Sequence, residues 1–125
     1  MCLVKYISPI NLEELIRTAA ASVIVVDVRE DDYLLGHIRG SLHYPFNQLE
    51  QRLLEHHEVV DGQAIPPTVV FHCHFSQNRG PSAAKLFAES LGDDHLVKER
   101  IHVLEGGWKV WKELYFDDPQ LTVHF

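Results

Sequence analysis

Cys73 and Arg79 stand six positions apart in the run Phe71-His72-Cys73-His74-Phe75-Ser76-Gln77-Asn78-Arg79-Gly80-Pro81. The apolar run Thr68-Val69-Val70-Phe71 precedes it, and the helix-forming run Ser82 to Ala88 follows. This pattern predicts a strand, a tight loop and a helix start. A loop so placed turns backbone N–H groups inward and receives the positive end of the helix dipole, which makes it a seat for a tetrahedral dianion. Arg79 can grip two oxygens of such an anion at once. The same field favours a thiolate at Cys73, and the thiolate is the nucleophilic form. A free cysteine at the end of a buried strand is more often a small hydrophobe. Here the pair is bracketed by a strand and a helix start, the place where open α/β sheets bind ligands, and that context favours the catalytic reading.

The elements that must position this loop follow from periodicity. Lys5-Tyr6-Ile7 reads as a short first strand, and Ser8-Pro9 with Leu12, Leu15 and Ile16 as a capped amphipathic helix. Val23-Ile24-Val25-Val26-Asp27 is a continuous β-branched run, as expected of a strand buried on both faces of a parallel sheet. A short helical piece near Asp31 to Leu35, a turn over Gly36 to Gly40, a short strand near Ser41 to His43 and a helix from Phe46 to about His57 come next. The loop follows the Thr68 to His72 strand, and a helix from Pro81 to Leu91 is closed by Gly92. Ile101 to Leu104 is the last strand. Glu105-Gly106-Gly107 turns into a final helix in which Trp108, Trp111 and Leu114 share a face as packing residues. The tail from Asp117 to Phe125 reads as loosely held. Alternating β and α elements with short links predict a mostly parallel five-stranded sheet with helices on both faces.

The 125 residues, 46% of them hydrophobic, fit one domain spanning 1–125, expected to be a monomer. A net charge of −7 argues against a nucleic-acid surface, so any anion site must be local. No apolar stretch approaches the roughly 20 residues of a membrane span, and the N-terminus lacks a signal-peptide pattern. Cys2 and Cys73 make no disulfide framework, and a catalytic thiol must stay reduced, which points to cytoplasm or nucleus. Nine histidines are spread without a ligand pair, and His72-Cys73-His74 is too tightly spaced for the usual zinc patterns, so no metal is expected.

The block Asp27-Val28-Arg29-Glu30 through Gly36-His37-Ile38-Arg39-Gly40-Ser41, with Leu104-Glu105-Gly106-Gly107-Trp108 near the end, resembles the rhodanese fold over nearly the whole chain. Within it, His72-Cys73, Ser76 and Arg79-Gly80-Pro81 resemble the cell-division-cycle dual-specificity phosphatases and the small eukaryotic arsenate reductases. The resemblance implies that sulfurtransferases have a loop one residue shorter. It also implies that His74, Phe75, Ser76, Gln77, Asn78 and Arg79 form the oxyanion-binding loop. Val28 stands where the cell-cycle phosphatases carry a second, protective cysteine, and Asn78 stands where they carry a glutamate proposed as general acid. Cys2 is the only other thiol, at a position that favours an idle or structural role.

Two activities stay open on these residues. In a phosphatase, Cys73 attacks phosphorus in line, Arg79 and the loop N–H groups stabilise the equatorial oxygens, and water hydrolyses the cysteinyl-phosphate. Ser76 either eases departure of the thiolate or makes a simple loop hydrogen bond. His72 braces the loop, and Asp27 braces the loop or Arg79, or else caps the following helix. The substrate is then a phosphoprotein or aryl phosphate. In an arsenate reductase, an external thiol such as glutathione resolves a Cys73–arsenate adduct, with glutaredoxin as partner, and no resident cofactor is needed. A persulfide-carrying sulfurtransferase and a non-catalytic rhodanese-like binding module are the remaining alternatives.

Overall fold

The computed structural model describes residues 5–30, 35–49, 51, 66–90 and 98–124. Five parallel strands form the central sheet: β1 (Lys5–Ile7), β2 (Val23–Asp27), β4 (Leu42–His43), β5 (Thr68–His72) and β6 (Ile101–Leu104), in the spatial order β1-β6-β5-β2-β4. Strand β5 is central and its Phe71 and His72 are wholly buried, as a strand covered on both faces requires. Side chains alternate across the sheet. Val26, Val69 and Phe71 face one side with Ala83, Ala84, Phe87 and Ala88 of α2 (Arg79–Ser90), where the Phe71 and Phe87 rings lie 5.6 Å apart. Val25, Val70 and Leu104 face the other with Leu12 of α1 (Pro9–Ala19) and with Trp108 and Trp111 of α3 (Gly107–Tyr115).

Local signals place several boundaries. The Ser8 hydroxyl accepts the Asn11 amide at 3.1 Å, and Pro9, whose missing N–H would be unpaired anyway, opens α1. In β2 and β5, Asp27 pairs in register with His72, so both strands end at the same level. From there the chain leaves β2 towards β4 on one side, while β5 is followed by β6 on the other. This divergence opens a crevice at the carboxyl ends of β2 and β5, where such sheets seat ligands.

Four expectations need correction. Gly36-His37-Ile38 is a strand, β3, and the tail is tied down: β7 (Thr122–His124) pairs with β3 antiparallel. Leu121 is fully buried, and the Trp111 indole N–H donates to the Thr122 hydroxyl at 3.0 Å. Gly36 permits this pairing at φ +151°, with Val123 O 3.1 Å from where a Cβ would stand. Helix α2 starts at Arg79, two residues before Pro81, because the Ser82 amide already reaches the Asn78 carbonyl at 3.0 Å. Leu114 is 54% exposed, unlike Trp108 and Trp111. The helical piece expected near Asp31, the helix beyond Gln51 and the Gly92 stop fall outside the described residues, although 46–49 and 51 are helical as expected.

Candidate active site

Cys73 leaves the end of β5 with 3% of its surface exposed, and the loop curls over it. The Ser76 amide donates to Cys73 Sγ at 3.2 Å, with Ser76 in the left-handed region at φ +56°. That turn folds the chain back over the sulfur. A cavity of about 80 Å³ opens beside it, lined by Cys73, His74, Phe75, Gln77, Asn78 and Arg79. Water occupies roughly 30 Å³ per molecule and benzene fits a cavity of roughly 150 Å³. The seat is therefore of a size for a small oxyanion, with the half-exposed Phe75 ring at its lining. His74 stands edge-on to Phe75, ring centres 4.4 Å apart. Ser76, predicted with the others, is not among the described residues that line the cavity; its hydroxyl is buried and has no hydrogen-bond partner among the described residues.

Two helix N-termini hold this loop, in different ways. Helix α2 begins at Arg79 itself, so the positive end of its dipole lies at a residue that lines the cavity. Its close approach to β5 depends on Gly80, where a Cβ would stand 3.2 Å from His72 Cα and 3.3 Å from Cys73 N. Helix α3 grips the loop from behind: the Trp108 amide donates to Cys73 O at 3.0 Å and the Lys109 amide to His74 O at 2.9 Å. With those carbonyls drawn towards α3, the His74 and Phe75 N–H groups of the same trans peptides point away from α3. Gly107, at φ +62°, makes the grip possible, since a Cβ there would lie 2.5 Å from Cys73 O.

Beneath the loop, a buried polar group ties the strand ends together. Asp27 accepts from the Arg29 guanidinium at 2.7 Å and from the Arg29 amide at 3.0 Å, and both residues are buried. Burial pushes the Asp27 carboxyl up, but the electrostatic interaction with His72 and the hydrogen bonds and charge of Arg29 outweigh it and hold the group below its ordinary value. Arg29 also donates to Gly36 O at 2.7 Å and lies over the Trp108 ring, 4.7 Å from its centre. His72 is buried, with Nε2 3.6 Å from Asp27 Oδ2 and Nδ1 3.2 Å from Cys73 O. Thus Asp27 reaches the loop through His72 and through Arg29 and Trp108.

Arg79 pairs with the carboxylate of Glu30, where Asp27 was one expected partner. Asp27 is committed to Arg29 below the loop. Four contributors were therefore not singled out as site residues from the sequence: Glu30, Arg29, Gly107 and Trp108. Their signal was present in the two motifs flanking the fold, which read as markers of architecture when each was taken alone. Val28 is buried in the same cluster as Cys73. Cys2 lies outside the described residues.

A parallel α/β sheet that carries a cysteine off its central strand, in a loop shared by two helix N-termini and an arginine, defines a thiol-based oxyanion site. The chain belongs to the rhodanese-like family, whose Rhodanese-like domain matches residues 8–114. It is 37% identical to the CDC25-like phosphatase YCH1 of Saccharomyces cerevisiae, over 98% of this chain and 90% of that protein. It is 35% identical to Arsenate reductase 2.2 of Oryza sativa subsp. japonica, over 87% and 82% respectively. The solved structure of Ygr203w, a yeast protein tyrosine phosphatase of the rhodanese family, superposes with a TM-score of 0.78 at 38% identity, covering 96% of this chain and 92% of that one. Both activities implied by the resemblance are thus found among relatives matched along most of their length.

Proposed function

We propose that this protein is a cysteine-dependent phosphatase for phosphate monoesters, of tyrosine or dual specificity, with Cys73 as nucleophile and Arg79 as oxyanion ligand. The observation that carries the proposal is the Ser76 N–H aimed at Cys73 Sγ at 3.2 Å, on a cavity of about 80 Å³ that Arg79 also lines. The amide hydrogen bond stabilises the attacking thiolate, and the thiolate adds to phosphorus while the leaving alkoxide or phenoxide departs to solvent. Arg79 and the α2 N–H groups stabilise charge on the equatorial oxygens. Water then cleaves the cysteinyl-phosphate, and the Ser76 hydroxyl, buried in the same loop, turns to donate to the departing thiolate. His74, Phe75, Gln77 and Asn78 shape the cradle, while His72 and Asp27 support it. Asn78 supplies no proton, so aryl phosphates and phosphotyrosine, whose leaving groups need none, are the favoured substrates.

Arsenate reduction is the second reading, favoured by Val28. That buried side chain stands beside β2 where an internal resolving thiol would otherwise sit, so an external thiol must resolve the Cys73 adduct. Glutathione is the co-substrate and glutaredoxin the partner in that case. For either activity we infer a monomeric enzyme of cytoplasm or nucleus, in which the thiol stays reduced, with no resident cofactor, no metal and no nucleic-acid or membrane partner.

The test compares hydrolysis of p-nitrophenyl phosphate with arsenate-dependent glutathione oxidation in the presence of glutaredoxin, for wild type and Cys73→Ser. Hydrolysis that exceeds arsenate turnover and vanishes in the variant supports the phosphatase. Arsenate turnover without hydrolysis replaces it by the reductase. Faster thiosulfate-to-cyanide sulfur transfer than either would replace both.

A further inference from the structure

Glu30, an acidic partner of Arg79, has no role in the chemistry above. Glu30 lies three residues past the end of β2, and its carboxylate pairs with the Arg79 guanidinium at the rim of the seat. Both side chains are about one-third exposed, at 31% for Arg79 and 34% for Glu30. Pairs at this exposure are weak and exchange readily with competing ions.

The backbone leading to Glu30 is fixed. The Val28 amide donates to His72 O at 2.9 Å, and the Phe46 amide donates to Val28 O at 3.0 Å. The Arg29 amide and guanidinium are held by Asp27, and the Arg29 carbonyl lies 2.6 Å from His43 Nε2. Glu30 therefore projects from an anchored stalk and remains beside the seat whichever anion Arg79 holds. The other residues lining the cavity, apart from Cys73 itself, bring no acidic or permanently charged basic side chain: His74, Phe75, Gln77 and Asn78. Glu30 cancels much of the charge that Arg79 offers an incoming dianion.

Resting on the phosphatase reading, we propose that Glu30 is the internal counter-ion that Arg79 exchanges for the substrate oxyanion, and that its charge sets how weakly the seat holds a tetrahedral dianion. The carboxylate keeps Arg79 aimed at the rim in the free protein. Once the dianion is seated, the anchored negative charge repels it and speeds release of inorganic phosphate. Glu30→Gln keeps an oxygen acceptor for Arg79 and removes the charge. It should bind phosphate about threefold to tenfold more tightly than wild type, from Coulomb repulsion at this range and exposure.

Titration calorimetry with inorganic phosphate tests this on wild type, Glu30→Gln and the charge-retaining Glu30→Asp, each at low and high ionic strength. The expected result is tighter binding by Glu30→Gln alone, with the gap closing as salt screens the repulsion. Phosphate bound by wild type, with equal or weaker binding in Glu30→Gln, overturns the counter-ion role and leaves the phosphatase reading standing. No phosphate binding by wild type or by Glu30→Gln overturns both.

Discussion

The Trp108 amide donates to the Cys73 carbonyl at 3.0 Å, so the C-terminal helix holds the backbone of the nucleophile itself. The contact exists because Gly107, one residue earlier, lies flat against the loop at φ +62°. Gly107→Ala places a Cβ 2.5 Å from Cys73 O, so the loop or the helix must shift. Displacing a reacting group by even a fraction of an ångström is costly, and kcat should fall by about tenfold or more. Gly40→Ala is the control. It has the same kind of left-handed backbone, φ +80°, but nothing within 4 Å of the added methyl, so it should cost about 1 kcal/mol of stability and leave kcat unchanged. Steady-state kinetics and urea unfolding of the two variants check this pair.

Ser76 offers a different separation. Its amide serves the resting sulfur, whereas its buried hydroxyl has no hydrogen-bond partner among the described residues and is available to a departing thiolate. Ser76→Ala should therefore slow breakdown of the cysteinyl-phosphate more than its formation, giving a burst of phenolate release followed by a lower steady rate. Removing an unsatisfied hydroxyl should leave stability unchanged within about 1 kcal/mol. Stopped-flow hydrolysis of an aryl phosphate reads both phases; a variant slowed equally in both would assign Ser76 to the loop alone.

Asp27 links stability to pH. Its folded-state value lies below the ordinary 3.8, so the unfolded chain takes up the proton first as pH falls. The stability it contributes is complete at neutral pH, begins to fade as pH drops below about 4, and is gone once the folded carboxyl protonates. Asp27→Asn leaves Arg29 buried without its counter-ion and should cost about 3–5 kcal/mol at pH 7. The difference between the proteins should shrink on acidification, as measured by denaturant unfolding from pH 7 downwards.

The strands and the cysteine loop were legible because their signals are local. Val23 to Asp27 and Thr68 to His72 are unbroken runs that suit strands covered on both faces, and Cys73 to Arg79 lies between a strand and a helix start. What escaped depends on partners distant in sequence. The pairing of Gly36-His37-Ile38 with Thr122 to His124 joins opposite ends of the chain, and neither segment has a strand pattern long enough to announce itself. Glu30 and Arg79 are 49 positions apart, and no periodicity connects them. Leu114 has the spacing of a core residue, but only the packing of α3 decides how far its buried face extends.

The tail offers a stability prediction that its composition did not suggest. Thr122→Val keeps the shape of the buried side chain and removes the acceptor of the Trp111 indole N–H. An unsatisfied buried donor costs about 1–3 kcal/mol, so the midpoint of thermal unfolding should fall while kcat/KM for aryl phosphate stays at the wild-type value.

The most direct test of the central claim is to quench the wild-type protein with acid during turnover of an aryl phosphate and to map the modified peptide by mass spectrometry. The account predicts one phosphoryl group on Cys73, absent from Cys73→Ser, which should also be inactive. A phosphoryl group on another residue, or undiminished hydrolysis by Cys73→Ser, would contradict it.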